Sequence, residues 1–112
     1  MFIFATLKTI TIMVVDLRID INRLERVAYI IKAVAHPIRL GIIDLLDQCE
    51  QMCVSDMQAK LNIEQALLSH HLTNMRDKGV LKTHRDGKNI FYSLTDKNIT
   101  KIIACIQSCR YV

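Results

Sequence analysis

The sequence predicts a mainly helical α+β domain: four helices, a β-hairpin and a closing helix. Three observations predict it. Apolar residues recur at helical spacing between Leu24 and Met75; the period changes from 3.6 to 2 after Gly79, around an Asp86-Gly87 pair; and Asp96 opens one more helical stretch. The 112 residues, 51% hydrophobic and 23% charged, fit one globular domain, and three Gly and one Pro exclude linker-rich or collagen-like builds.

Leu24, Val27, Ala28, Ile31 and Val34, with Arg23, Arg26 and Lys32 between them, predict a first helix from about Asn22 to Ala35. His36-Pro37 should break it, because the residue before Pro avoids the α region while Pro suits the first turn of a new helix. The second helix then runs from Pro37 to about Asp47 and buries Leu40, Ile43, Leu45 and Leu46, with Cys49 to Met52 as a connection. A short third helix starts near Val54, with Cys53 or Ser55 near its cap, and ends at Leu61-Asn62.

The fourth helix, Glu64 to Lys78, is the most informative. Steps of 100° put Glu64, Leu68, Leu72 and Met75 on one stripe, which should face the core. The opposite side presents Ala66, Ser69, His70, Thr73 and Asp77, with Gln65 and Arg76 on its shoulder. Small and hydrogen-bonding side chains of this kind let a helix approach base edges in a major groove; an ordinary solvated face is the alternative. His71 lies about 60° from the core stripe, and reads as a packing or hydrogen-bonding residue. Gly79 should end the helix. Val80–Arg85 and Lys88–Leu94 read as strands joined at Asp86-Gly87, with Lys82, Arg85 and Lys88 on or near the hairpin. Asp96 caps a last helix from Lys97 to about Cys109 that carries Ile99, Ile102, Ile103 and Ile106.

Charge is unevenly placed. Residues 1–75 hold seven basic and eight acidic side chains, whereas 76–112 hold eight basic and three acidic, a local balance of +5. A polyanionic partner would favour that end of the chain. Met1 to Val15 is apolar apart from Lys8 and its threonines, too short for the roughly 20 residues of a membrane span and without the pattern of an export signal. The expected organisation is an N-terminal apolar arm over 1–21, with Met13 as an alternative start, and a DNA-binding domain over 22–112. No membrane partner is expected. The four cysteines, Cys49, Cys53, Cys105 and Cys109, are too few for a disulfide scaffold, so a cytoplasmic protein with reduced thiols is expected.

Helix, helix, short helix, turn, longer helix, hairpin, helix is the winged helix-turn-helix layout, with a reading helix for the major groove and a basic wing for phosphates. The chain also resembles the ArsR/SmtB family of bacterial metal- and thiol-responsive repressors. The resemblance rests on Ala33-Val34-Ala35-His36-Pro37-Ile38-Arg39-Leu40, on Glu64-Gln65-Ala66-Leu67-Leu68-Ser69-His70-His71-Leu72, on Arg76-Asp77-Lys78-Gly79-Val80-Leu81 and on a wing from Arg85 to Leu94. It implies a homodimer, joined through the first and last helices, bound to double-stranded operator DNA at an imperfect inverted repeat. By position it places Gln65, Ser69 and His70 at the bases and Arg85, Lys88 and Asn89 in the wing. Ala66, which could touch a thymine methyl, Thr73 and Arg76 complete the expected DNA surface.

No cofactor is certain; a soft metal or metalloid is the candidate. The family's Cys-x-Cys metal site corresponds here to Met52-Cys53-Val54-Ser55-Asp56, which keeps one thiol, with Cys49 four residues earlier as a stand-in. In the family's other site, on the last helix, Asp96 fits the first position, but Asn98 stands where His is expected and Cys109 and Val112 at the distal positions. A paired thiol sensor of the family would need Cys where Asp44 stands. Cys105 and Cys109, spaced i, i+4, should share a helix face, giving thiols for a soft metal, arsenite or reactive sulfur; Cys53, Cys105 and Cys109 are the metal candidates. The alternatives are a DNA binder with no effector, its cysteines acting as small apolar filler, and a winged-helix module that contacts only protein. No Gly-rich phosphate loop or H-E-x-x-H points to an enzyme.

Overall fold

The computed structural model describes residues 16–111. Most of the expected N-terminal arm, including Met13, lies outside the described residues. In chain order the elements are α1 (Ile21–Val34), α2 (Pro37–Gln48), β1 (Met52–Cys53), α3 (Val54–Leu61), α4 (Gln65–Asp77), β2 (Leu81–Asp86), β3 (Asn89–Leu94), a 3-10 turn (Lys97–Thr100) and α5 (Lys101–Ser108).

Local chemistry sets the boundaries. His36 is extended, Pro37 opens α2, and the His36 ring accepts the Ile38 N–H at Nδ1 over 3.1 Å, so a histidine serves as the N-cap. Asn62 takes a left-handed conformation (φ 53°) and turns the chain from α3 into α4 within three residues, 62–64. Gly41 admits the end of α3 close to α2, where a Cβ would stand 3.0 Å from Leu61 Cδ2. At the end of α4, Gly79 (φ 83°) donates to Arg76 O at 3.0 Å and Val80 to Met75 O at 2.9 Å, the paired bonds of a Schellman motif.

The core lies where α2, α3, α4, the sheet and α5 meet. Ile42, Ile43, Met57, Leu68, Leu72 and Met75 are fully buried, joined by Leu81, Tyr92, Leu94 and Ile103. Each such side chain contributes roughly 1.5–3 kcal/mol relative to exposure. Leu68, Leu72 and Met75 together therefore decide which face of α4 turns inward.

Several expectations are corrected. In α2 the buried residues are Ile42, Ile43 and Leu46, while Leu40 and Leu45 are half-buried. Glu64 does not continue the core stripe; it is the exposed N-cap of α4, one residue before the first turn that reaches the core. The apolar spacing of α1, for which no intrachain partner was expected, is mostly uncovered within one chain: Val27 and Ile31 are exposed, and only Ala33 and Val34 are buried. Met52 and Cys53 form an unexpected edge strand that pairs antiparallel with Tyr92 and Phe91, so the sheet has three strands in the order β1-β3-β2. Two residues are too short a run for period-two patterning to reveal.

The hairpin turn is shifted by one residue. Asp86 pairs with Asn89, leaving Gly87-Lys88 as the turn; φ is positive at Gly87 alone, which suits a type II′ turn. The register follows from pairing buried Leu81 with buried Leu94 and Thr83 with buried Tyr92. Finally, Asp96 caps a 3-10 turn rather than an α-helix, its carboxylate accepting the Asn98 N–H at 2.9 Å. The α-helix proper starts at Lys101, and Cys109 is its C-cap.

Candidate nucleic-acid interface

α3 and α4 form the helix-turn-helix, and the burial of Leu68, Leu72 and Met75 turns the other side of α4 outward. On that side Gln65, Ala66, His70, Thr73 and Arg76 are exposed and Ser69 is half-exposed. A shallow depression of about 450 Å³ runs along it, bordered by Ala66, Ser69, His70, Thr73, Asn74 and Asp77. No acidic residue occupies the first turn of α4. Arg76 lies 3.6 Å from Asp77, an exposed ion pair too weak to hold Arg76 from another anion.

The wing extends from the same core. Arg85, Lys88 and Asn89 are exposed, and the register places Lys88 at the tip and Arg85 beside Ile90. Alternation puts Lys82 and His84 on the opposite face of β2 from Arg85, so the three basic side chains do not form one patch.

Behind the outward face is a polar contact among otherwise apolar packing. Arg39 of α2 donates from Nη1 to Ala33 O (2.9 Å) and to Asn74 Oδ1 (2.8 Å), and from Nε to His71 Nδ1 (2.9 Å). His71 is only 4% exposed and lies 4.4 Å from the His36 ring, centroid to centroid. Burial, followed by the positive fields of His36, Arg39 and His70, holds the His71 pKa below its ordinary value, so its imidazole stays neutral and able to accept from Arg39. Arg39 entered the sequence reading only within the A-H-P-x-R run. The physical signal was present: it is the lone charge in the run from Ala33 to Ile43.

The cysteines are unpaired. Cys49 and Cys105 are exposed, while Cys53 and Cys109 are half-buried. Cys53 Sγ sits 3.3 Å from Ser55 Oγ. Among the described residues of the single chain no three His, Cys, Asp or Glu side chains converge into a metal site.

Residues 36–83, from the His36 cap through the helix-turn-helix into β2, match the family model described as bacterial regulatory protein, arsR family. The transcriptional repressor PagR of Bacillus anthracis is 37% identical over 89 residues, covering 80% of this chain and 89% of that one. The chain belongs to the arsR family of bacterial regulatory proteins. A second relative, the biofilm growth-associated repressor of Agrobacterium fabrum, is 36% identical over 76% of this chain and 72% of its own. The crystal structure of PagR superposes with a TM-score of 0.70 at 34% identity, over 78% of this chain and 99% of PagR. A homodimeric winged helix-turn-helix DNA-binding domain from Mycobacterium bovis, known in solution, superposes at 0.66 with 26% identity, over 77% and 79% of the two chains. This ArsR-family chain is thus a DNA-binding transcriptional regulator of winged helix-turn-helix build, with α3–α4 as the helix-turn-helix and β2–β3 as the wing. Among its described residues no helix is long and apolar enough to cross a membrane.

Proposed function

We propose that this protein is a cytoplasmic, homodimeric repressor that reads an imperfect inverted repeat in operator DNA and leaves it when its thiols react. Gln65, Ala66, Ser69, His70 and Thr73 meet base edges; Arg76, Arg85, Lys88 and Asn89 meet phosphate or the flanking groove. The observation that carries the reading is the face of α4 opposite Leu68, Leu72 and Met75, which is polar, small-chained and open to solvent.

Dimerisation is supported by apolar surface that one chain leaves uncovered. A groove of about 530 Å³ between α1 and the 3-10/α5 segment is lined by Val27, Ile30, Ile31, Ile99 and Ile102, with Ile106 40% exposed nearby. A second copy packing its own α1 and α5 there would bury these residues and set two reading helices against successive major grooves, about 34 Å apart.

The effector reading rests on the free thiols at the end of α5. Across a dimer, Cys105 and Cys109 from both copies supply four sulfurs, enough for a soft metal or As(III) bound as thiolates with loss of their protons. A polysulfide would instead oxidise two thiols to a disulfide while its own S–S bond is reduced to two thiol-level sulfurs. Either state lowers operator affinity by its preference for the DNA-incompetent dimer, typically about 5–150-fold.

The test is a titration of the reduced protein onto its own promoter DNA, alone and with Zn(II), Cd(II), arsenite or polysulfide. Two chains per inverted repeat, and release by at least one thiol reagent, are expected. Failure to prefer the promoter over unrelated DNA would overturn the reading as a whole. Binding untouched by all four reagents would overturn its effector part and leave a constitutive DNA binder.

A further inference from the structure

Arg39 holds a position that the pattern of base and phosphate contacts does not explain. Pro37 has no N–H, so the carbonyl of Ala33, four residues earlier and fully buried, loses its helical partner at the break between α1 and α2. Arg39 Nη1 fills that vacancy at 2.9 Å, and the same guanidinium reaches Asn74 and His71 of α4. One planar group on α2 therefore ties the last turn of α1, whose exposed apolar face is the proposed dimer surface, to the inner shoulder of the reading helix.

His71 and Asn74 each stand one residue beyond an outward-facing side chain, His70 and Thr73. The apolar stripe fixes which face of α4 turns outward, but apolar contact has no direction and tolerates small rotations. A 20° turn of a helix about 5–6 Å in radius moves side chains at its surface by about 2 Å, enough to break a bidentate hydrogen bond to a base. The planar, forked guanidinium supplies the direction that apolar packing lacks.

From this geometry we infer that Arg39 is the positioning residue of the DNA-reading surface: it sets the rotation of α4 on the α1–α2 frame without touching DNA. The inference rests on the proposed operator-reading function. It predicts a loss of discrimination between sequences, with electrostatic binding preserved.

The experiment compares wild type, Arg39→Met, Arg39→Lys, His71→Leu and the Arg39→Met/His71→Leu double variant on operator and unrelated DNA over a salt series, with thermal melts and active fractions measured alongside. In folded Arg39→Met and His71→Leu proteins the operator-to-unrelated affinity ratio should fall by about tenfold, with affinity for unrelated DNA and its salt slope unchanged. The double variant should be no worse than the more impaired single variant, and Arg39→Lys should recover part of the ratio. His71→Leu leaves the Arg39–Ala33 bond in place, so it decides the matter if Arg39→Met does not fold. An unchanged ratio in the folded variants would overturn the inference, as would a salt slope reduced by about one in Arg39→Met, the mark of a direct phosphate contact. Wild type that fails to discriminate would overturn the operator reading instead.

Discussion

Arg39 Nε and His71 Nδ1, 2.9 Å apart, fix the protonation of a buried imidazole: Nδ1 accepts, so the ring's own proton sits on Nε2. The two residues are 32 apart in sequence and belong to different helices, and the bond joins the apolar-packed α2 to α4, the second helix of the helix-turn-helix. A second proton on His71 would have to enter at Nδ1, facing the guanidinium.

That arrangement makes stability depend on pH with a definite sign. The charged or titratable groups that act on His71 among the described residues are basic: Arg39 and the His36 cap from the α2 side, and His70 on α4. With a native pKa below the ordinary 6.5, the unfolded chain binds more protons at His71 than the native one as pH drops below that value. The contribution is complete above about pH 6.5 and is lost as pH falls through the native pKa. Urea unfolding at pH 7.5 and 5.5 should show wild type losing more stability on acidification than His71→Leu. Equal losses would mean that His71 is not a source of the pH dependence.

Ser69 and His70 do no core work, so changing both to Ala should leave the melting temperature and oligomeric state intact. Operator preference should fall by at least about tenfold, from losing contacts at two neighbouring positions. A folded double variant that keeps wild-type preference would place the bases against some other surface.

The wing should act differently from the reading helix. Arg85 and Lys88 are exposed and form no ion pair among the described residues, so each would neutralise a phosphate when the wing meets DNA. Arg85→Ala and Lys88→Ala should each weaken operator and unrelated DNA alike and reduce the salt slope by about one. A slope identical to wild type would remove that side chain from the interface.

Most of this fold was legible because its cues are local. The His36-Pro37 break, the Gly79 stop, the period change and the outward side of α4 each follow from a few neighbouring residues. What could not be read depends on distant partners. The Met52–Cys53 strand exists only because Tyr92 and Phe91 present a free edge, and the turn slips to Gly87-Lys88 because Leu81 meets Leu94 at the far end of the hairpin. The Arg39 bonds to His71 and Asn74 likewise join residues that no helical wheel of one segment brings together. The α1 stripe was legible as apolar, but its partner lies outside the single chain, where Val27 and Ile31 face outward.

Those two side chains test the dimer directly. Val27 is 44% and Ile31 51% exposed in the single chain, so Val27→Glu with Ile31→Glu should leave the monomer folded. Charges buried at a subunit contact without partners are costly, and the double variant should sediment as a monomer with operator affinity reduced by more than about a hundredfold. A stable dimer carrying both glutamates would show that α1 lies outside the subunit contact.

The thiols call for a functional readout, because a buried or filler cysteine and a sensing one can look alike at rest. Cys105 is exposed in the last stretch of α5, where its carbonyl accepts from Ser108 Oγ at 3.1 Å, and Cys109 follows as the half-buried cap. Serine keeps the size and polarity of the site while removing the soft sulfur. Cys105→Ser and Cys109→Ser proteins should hold operator DNA as wild type does when reduced. They should then remain bound at arsenite, Cd(II) or polysulfide concentrations that release wild type. Release of both variants at wild-type concentrations would exclude the α5 thiols and leave Cys49 and Cys53, at the entry to α3, to be replaced in the same assay.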